Sequence, residues 1–196
     1  NLTRLQRREV VSRILAKREN ALVVAGLGST AWDCAAFDSN PFDFLLWGAM
    51  GSTLAIGLGL AQAQPTRRIL VISGDGDITM GVGSLVTIGS AAPKNLTVIV
   101  IDNERYGETG MQTSHTARNT DLSGIAKAGG FLNTLTVCDE QELNSSFSFI
   151  YDRPGPTAVI IKVQSEQLTR ILPPRDGVFL KDRFRTALLG EDVAHK

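Results

Sequence analysis

Two residues in this chain, Asp75 and Asn103, are suited by type and placement to hold a cation. Each follows an apolar, β-branched run, 69–72 (Ile-Leu-Val-Ile) and 96–101 (Leu-Thr-Val-Ile-Val-Ile). Asp75 is a hard anionic oxygen donor and Asn103 offers a neutral amide oxygen. The backbone carbonyl of Arg105 could supply a third oxygen. A few protein oxygens completed by phosphate oxygens is how proteins usually hold magnesium. Gly74 and Gly76 flank Asp75 and allow a tight turn with close approach of a ligand. A helix expected over 77–91, opening at Asp77, aims free N–H groups toward an anion. Together these residues read as a magnesium-diphosphate site.

The elements around them must bring Asp75 and Asn103 together. Strand, turn, helix, strand is the pattern from 68 to 106. In a parallel arrangement both turns fall at the carboxyl edge of one sheet, where open α/β sheets bind ligands. The fold class expected is α/β, a doubly wound, mostly parallel sheet with helices on both faces, forming one domain over 1–196 with a tail from about 190. Leu2, Leu5, Val10, Ile14 and Leu15 mark an amphipathic helix over 1–20 whose Arg and Lys residues form a solvated face. Glu9 and Glu19 dilute its charge and argue against a membrane-surface helix.

A first strand at 21–25 runs into Gly26-Leu27-Gly28-Ser29-Thr30-Ala31. This GxGxxA string is the mark of a nicotinamide-binding turn. The rival reading fails on spacing, because the next strand expected, at 69–72, lies beyond a long insert. Ser29 or Thr30 would cap the following helix. Residues 38–46 look irregular. A small-residue helix is expected over 52–63, and a polar, Gly-containing loop over 104–119. That loop offers Tyr106, Glu108, Thr109, Gln112, Ser114 and His115 as substrate contacts. Further helices are expected at 121–128, at 139–150 with Asp139 and Glu142 as a capping box, and at 178–189, with strands at 133–137 and 157–163.

Composition narrows the class. Twenty basic and twenty acidic residues cancel, and without a long basic run no nucleic-acid partner is expected. Two isolated cysteines, Cys34 and Cys138, fit neither a disulfide framework nor a cysteine-based metal cluster and suit a reduced, cytoplasmic setting. The apolar run 48–63 is too short and too polar to span a bilayer, and no signal peptide is visible.

Gly74-Asp75-Gly76 followed 28 positions after Asp75 by Asn103 resembles the thiamine diphosphate motif of thiamine-dependent enzymes. MGVGSLVTIG (80–89) and ETGMQTS (108–114) resemble the phosphonopyruvate and sulfopyruvate decarboxylase group. The resemblance implies thiamine diphosphate and Mg2+ as cofactors, with Asp75, Asn103 and the Arg105 carbonyl on the metal. It implies that Ser29, with Thr30 second, gives a hydroxyl to the diphosphate. Gly74, Gly76, Asp77, Tyr106 and Gly107 fall within the same cofactor-binding set. Gly48 would offer its carbonyl to the aminopyrimidine, and Met50 would force the bent cofactor shape in which the cofactor removes its own proton. Met50 and His115 are the catalytic candidates. Two departures stand out: Asp102-Asn103 where the family often has Asn-Asn, and 109–113 (Thr-Gly-Met-Gln-Thr) where relatives tend to read Gly-Gly-Gln-Pro-Thr.

The implied reaction is non-oxidative decarboxylation of a 2-oxoacid to CO2 and an aldehyde. An anionic substrate such as sulfopyruvate or phosphonopyruvate would need a cationic contact, for which Arg105 and Arg118 are nearest in sequence. In this family a glutamate from a separate pyrimidine-binding domain activates the cofactor, and nothing in this chain resembles that domain. The expectation is therefore a diphosphate-binding subunit of a split, hetero-oligomeric enzyme, inactive without its pyrimidine-binding partner. A carboligase or acetolactate-synthase-like subunit, a 2-oxoacid:ferredoxin oxidoreductase beta subunit and a non-catalytic cofactor-binding protein are the alternatives.

Overall fold

The computed structural model describes residues 4–194. The strands are β1 (Leu22–Ala25), β2 (Asp43–Leu45), β3 (Ile69–Gly74), β4 (Leu96–Asp102), β7 (Asn133–Val137) and β8 (Thr157–Lys162), with a small hairpin of β5 (Arg105–Tyr106) and β6 (Gln112–Thr113). The helices are α1 (Arg7–Leu15), α2 (Ser29–Phe37), α3 (Thr53–Ala63), α4 (Asp75–Met80), α5 (Gly83–Ala91), α6 (Leu122–Ala128), α7 (Glu140–Tyr151), α8 (Gly177–Leu189) and α9 (Glu191–Ala194). Six strands form one sheet in the order β2-β1-β3-β4-β8-β7, with every neighbouring pair parallel.

Alternation along the strands divides the core into two layers. Val23, Leu70, Ile72, Ile99, Ile101, Val159 and Ile161 meet Val10 and Ile14 of α1, Cys34 of α2, and Leu143 and Ile150 of α7. Leu22, Val24, Val71, Val98, Val100 and Ile160 meet Leu54 of α3, Ile88 of α5, Leu122 of α6 and Phe184 of α8. Helices thus cover both faces, as the doubly wound reading requires. No described helix is long and apolar enough to cross a membrane.

The chain departs from the sequence reading in several places. The single helix expected over 77–91 is two, and the first begins at Asp75 itself. The break falls at Gly81, whose Cα lies against the Gly51 carbonyl so closely that a Cβ would collide with it. That tertiary contact carries no periodic signal. The N-terminal helix is shorter than expected, because Leu5 instead bridges to Val163 beside β8; Leu2 lies outside the described residues. The basic residues of the expected 1–20 helix are not simply solvated. Arg7 and Arg18 are each 5% exposed, paired with the buried carboxylates Asp33 and Asp43. The expected tail contains the short helix α9.

The 38–46 stretch contains β2, which is parallel to β1. The next strand after β1 is therefore close in sequence, so spacing is the wrong ground for rejecting a nicotinamide site. The better ground is chemical. The carboxyl end of β2 runs into Leu45, Leu46 and Trp47 and carries no acidic residue for a ribose, while Asp43 sits at its start.

Candidate active site

β3 and β4 are hydrogen-bonded neighbours with Gly74 opposite Ile101. Asp75 and Asn103 therefore leave adjacent strands at the same carboxyl edge. Both are buried, Asp75 at 1% and Asn103 at 8% exposure. A cavity of about 190 Å³ opens there, lined by Ser29, Met50, Asp75, Asn103, Arg105 and Tyr106 among others. Thr30, Gly74, Gly76, Asp77 and Gly107 also line it, whereas Gly48 and His115 do not.

Asp75 carries an unusual electrostatic load. No ion pair among the described residues reaches it. Burial, and then the nearby charge of Asp102, push its carboxyl from 3.8 up to about 6, although hydrogen bonds from Ser114 and Thr116 oppose the rise. Asn103 Oδ1 accepts the Arg105 N–H at 3.0 Å, which leaves it a second lone pair. In the hairpin, the Ser114 N–H reaches the Glu104 carbonyl at 3.1 Å. With Arg105 opposite Thr113, this antiparallel pattern turns the N–H and C=O of Arg105 away from β6, toward the Asn103 side.

Other expected ligands are already engaged. Asp77 Oδ1 accepts the Gly51 N–H at 2.5 Å, and Oδ2 accepts the hydroxyls of Thr53 at 2.6 Å and of Ser73. Asp77 therefore braces the 48–53 segment against the sheet. The Thr30 hydroxyl donates to the Gly26 carbonyl at 2.7 Å, which leaves Ser29 as the open hydroxyl of that turn. Ser114, expected to face substrate, is instead 2% exposed and donates to Asp75 Oδ2. His115 is exposed, with Nδ1 3.1 Å from the Tyr106 hydroxyl. It touches the site only through that ring.

Local backbone fixes the remaining parts. Gly76 has no room for a Cβ, which would lie 2.5 Å from Tyr106 Cε1 and 3.5 Å from Met50 Cε. Met50 and Tyr106 thus close over the Gly76 turn. Ala49 and Glu104 take left-handed conformations, φ 59° and 61°, next to Met50 and Asn103. Such backbone costs about 1–3 kcal/mol per residue and concentrates at functional sites. The helix opened by Asp75 is only six residues long, so its dipole adds less toward an anion than a longer helix would.

Sequence reasoning missed Thr116, Lys162 and the role of Asp102. Thr116 Oγ1 lies 2.7 Å from Asp102 Oδ1 and 3.1 Å from Asp75 Oδ2. Lys162 Nζ lies 2.7 Å from Asp102 Oδ2 and 3.1 Å from Glu104 Oε1. Asp102 and Lys162 are cross-strand partners, a signal available only once β8 is placed beside β4.

A parallel α/β sheet with a carboxylate and an amide converging at the carboxyl ends of adjacent strands defines an open α/β domain of the class that binds ligands at that edge. The comparison with known proteins is more specific. Residues 27–161 match the family described as thiamine pyrophosphate enzyme, C-terminal TPP binding domain, and the chain belongs to that family. It is 35% identical over 187 residues to the sulfopyruvate decarboxylase subunit beta of Methanocaldococcus jannaschii, covering 93% of this chain and 97% of that one. It is 31% identical to the phosphonopyruvate decarboxylase of Streptomyces viridochromogenes, covering 84% of this chain and 41% of that one. An X-ray structure from Mycobacterium smegmatis, assigned as a thiamin diphosphate-dependent enzyme, superposes with a TM-score of 0.71 at 20% identity, over 84% of this chain and 33% of that one. That likeness confirms the fold.

Proposed function

We propose that this chain is the diphosphate- and Mg2+-binding subunit of a thiamine diphosphate-dependent 2-oxoacid decarboxylase that acts with a pyrimidine-binding partner. The observation that carries the reading is Asp75, a buried carboxylate with no ion-pair partner among the described residues, which lines one cavity with Asn103 at the edge of adjacent strands. No cluster of three or more His, Cys, Asp or Glu among the described residues could hold a metal alone. A cation here needs one carboxylate, neutral oxygens and the ligand's phosphates, the usual donor set of magnesium. The residues therefore fit the group. Asp75, Asn103 and the Arg105 carbonyl would hold the metal, and Ser29 the diphosphate.

Bound thiamine diphosphate supplies a nucleophilic carbon and an electron sink for loss of CO2. The chain's residues do the positioning. Met50 and Tyr106 stand over the Gly76 turn, a wedge that sets the shape of what lies against it. Asp77 fixes the segment carrying Gly48 and Met50. The named relatives act on sulfopyruvate and phosphonopyruvate, so an anionic 2-oxoacid is the substrate class proposed. Arg105 lines the cavity and has no ion pair among the described residues, whereas the exposed Arg118 is not part of the cavity lining. Arg105→Gln is expected to raise KM for sulfopyruvate about 10-fold or more, about 1.4 kcal/mol, and to change KM for pyruvate little. Equal effects on both substrates would remove Arg105 from distal-anion recognition.

The direct test is a native mass spectrum of the tagged chain as it purifies from its host with magnesium present. A second subunit, with the added mass of thiamine diphosphate and Mg2+, is the expected result. A particle without thiamine diphosphate would overturn the reading. Product analysis with and without an acceptor aldehyde then separates decarboxylation from carboligation.

A further inference from the structure

We propose that Ser114 and Thr116 are positioning residues for Asp75, anchored by Asp102 and its counter-ion Lys162. The inference rests on the reading of Asp75 as a metal ligand. A carboxylate that binds a metal through one oxygen must be kept from rotating, and hydrogen bonds to its other oxygen do this. In this chain both side-chain hydroxyl contacts of Asp75 fall on Oδ2: Ser114 donates to it, and Thr116 Oγ1 lies 3.1 Å away. Oδ1 has no side-chain donor among the described residues and is the oxygen left for a cation.

The two hydroxyls are themselves held. Ser114 Oγ and Thr116 Oγ1 lie 3.0 Å apart. Thr116 has a single proton, which lies between Asp102 Oδ1 at 2.7 Å and Asp75 Oδ2 at 3.1 Å, so its hydroxyl bridges the two carboxylates. Asp102 is held from turning toward the cavity in place of Asp75, because both its oxygens are engaged. The Glu104 N–H reaches Oδ1 at 3.1 Å and Lys162 Nζ reaches Oδ2 at 2.7 Å. Ser114, Thr116 and Asp102 are all buried, so water does not compete for these bonds. The 3₁₀ turn at His115–Ala117 brings the hydroxyls up beneath Asp75 from the far end of the hairpin loop. The same geometry explains why a buried residue precedes and another succeeds the exposed His115.

The test uses the tagged full chain as it purifies from its host, stripped with EDTA and titrated with MnCl2 in the presence of thiamine diphosphate. Free Mn2+ is read by electron paramagnetic resonance and stability by thermal unfolding. Ser114→Ala and Thr116→Val are each expected to weaken Mn2+ binding about 10–100-fold, the usual effect of removing an outer partner of a metal ligand. Their joint loss should be smaller than the product of the two, because both act on one oxygen. Thr116→Ser, which keeps the hydroxyl, should retain the wild-type affinity, and it remains informative if Thr116→Val fails to fold. Wild-type Mn2+ affinity in folded Ser114→Ala and Thr116→Val would overturn the proposal. So would equal losses in Thr116→Ser and Thr116→Val. Asp75→Ala is the control that separates the two readings. If it too leaves Mn2+ affinity unchanged, the metal assignment itself has failed.

Discussion

Replacing Asp75 by asparagine is expected to remove Mg2+-dependent binding of thiamine diphosphate while making the metal-free protein more stable at neutral pH. The two effects share one cause. Asp75 is buried beside Asp102 with no ion-pair partner among the described residues, and burial and that neighbouring charge raise its carboxyl from 3.8 to about 6. A carboxyl that holds its proton more tightly in the folded state than in the unfolded chain favours folding at low pH. That contribution is complete below about pH 4 and is lost as pH rises through about 6. At pH 7.5 the ionised Asp75 then costs on the order of 2–3 kcal/mol. Asparagine keeps an oxygen for Ser114 and Thr116 and carries no charge, so urea unfolding at pH 7.5 without metal should show a gain of about 1–3 kcal/mol that shrinks toward pH 4. Binding should move the other way, with affinity for thiamine diphosphate and Mg2+ falling about 100-fold or more, about 3 kcal/mol. A variant that loses stability at pH 7.5 would show that Asp75 is part of the scaffold. A variant that keeps the affinity would remove the metal site.

How much of this is legible in the sequence depends on the range of the interaction. The runs at 69–72 and 96–101 are local and strongly β-branched, and their order in the sheet comes from the crossover helix between them. The meeting of Asp75 with Asn103 is therefore readable from the chain itself. β2 is not, because three residues between Pro41 and Trp47 give too short a pattern to separate from a loop. The break at Gly81 and the engagement of Asp77 escape the sequence for one common reason. Both are contacts with the 48–53 segment, far away in sequence. Arg7 and Arg18 look like a wet face because composition cannot show that Asp33 and Asp43 wait beneath them. Ser114 and His115 are a sharper case. Adjacent polar residues in one loop look equivalent, yet the backbone sends one onto Asp75 and the other into solvent.

The largest effect of all is expected from the simplest comparison, turnover by this chain alone against turnover with a pyrimidine-binding partner. Thiamine chemistry of the proposed kind requires a carboxylate free to engage the aminopyrimidine. Three carboxylates line the cavity among the described residues: Asp75, Asp77 and Glu108. Asp75 is proposed for the metal. Asp77 has both oxygens occupied by Gly51, Thr53 and Ser73. Glu108 is exposed on the hairpin and lies against Gly28, with Cγ and Oε1 3.2 Å from where a Cβ would stand. That places it at the β1–α2 turn beside Ser29, whereas Gly48 and Met50 belong to the segment braced by Asp77. None of the three is both free and on the Gly48 side. The purified chain should therefore show no 2-oxoacid decarboxylation above background, and addition of the partner should raise the rate by about 1,000-fold or more, the scale on which acid-base groups and positioning act together. If the chain alone turns over, Glu108→Gln decides between two sources of the activating carboxylate. Loss of that activity would place the carboxylate on the hairpin of this chain. Retention would mean that a second copy supplies it, and the oligomer would have to be built around that contact.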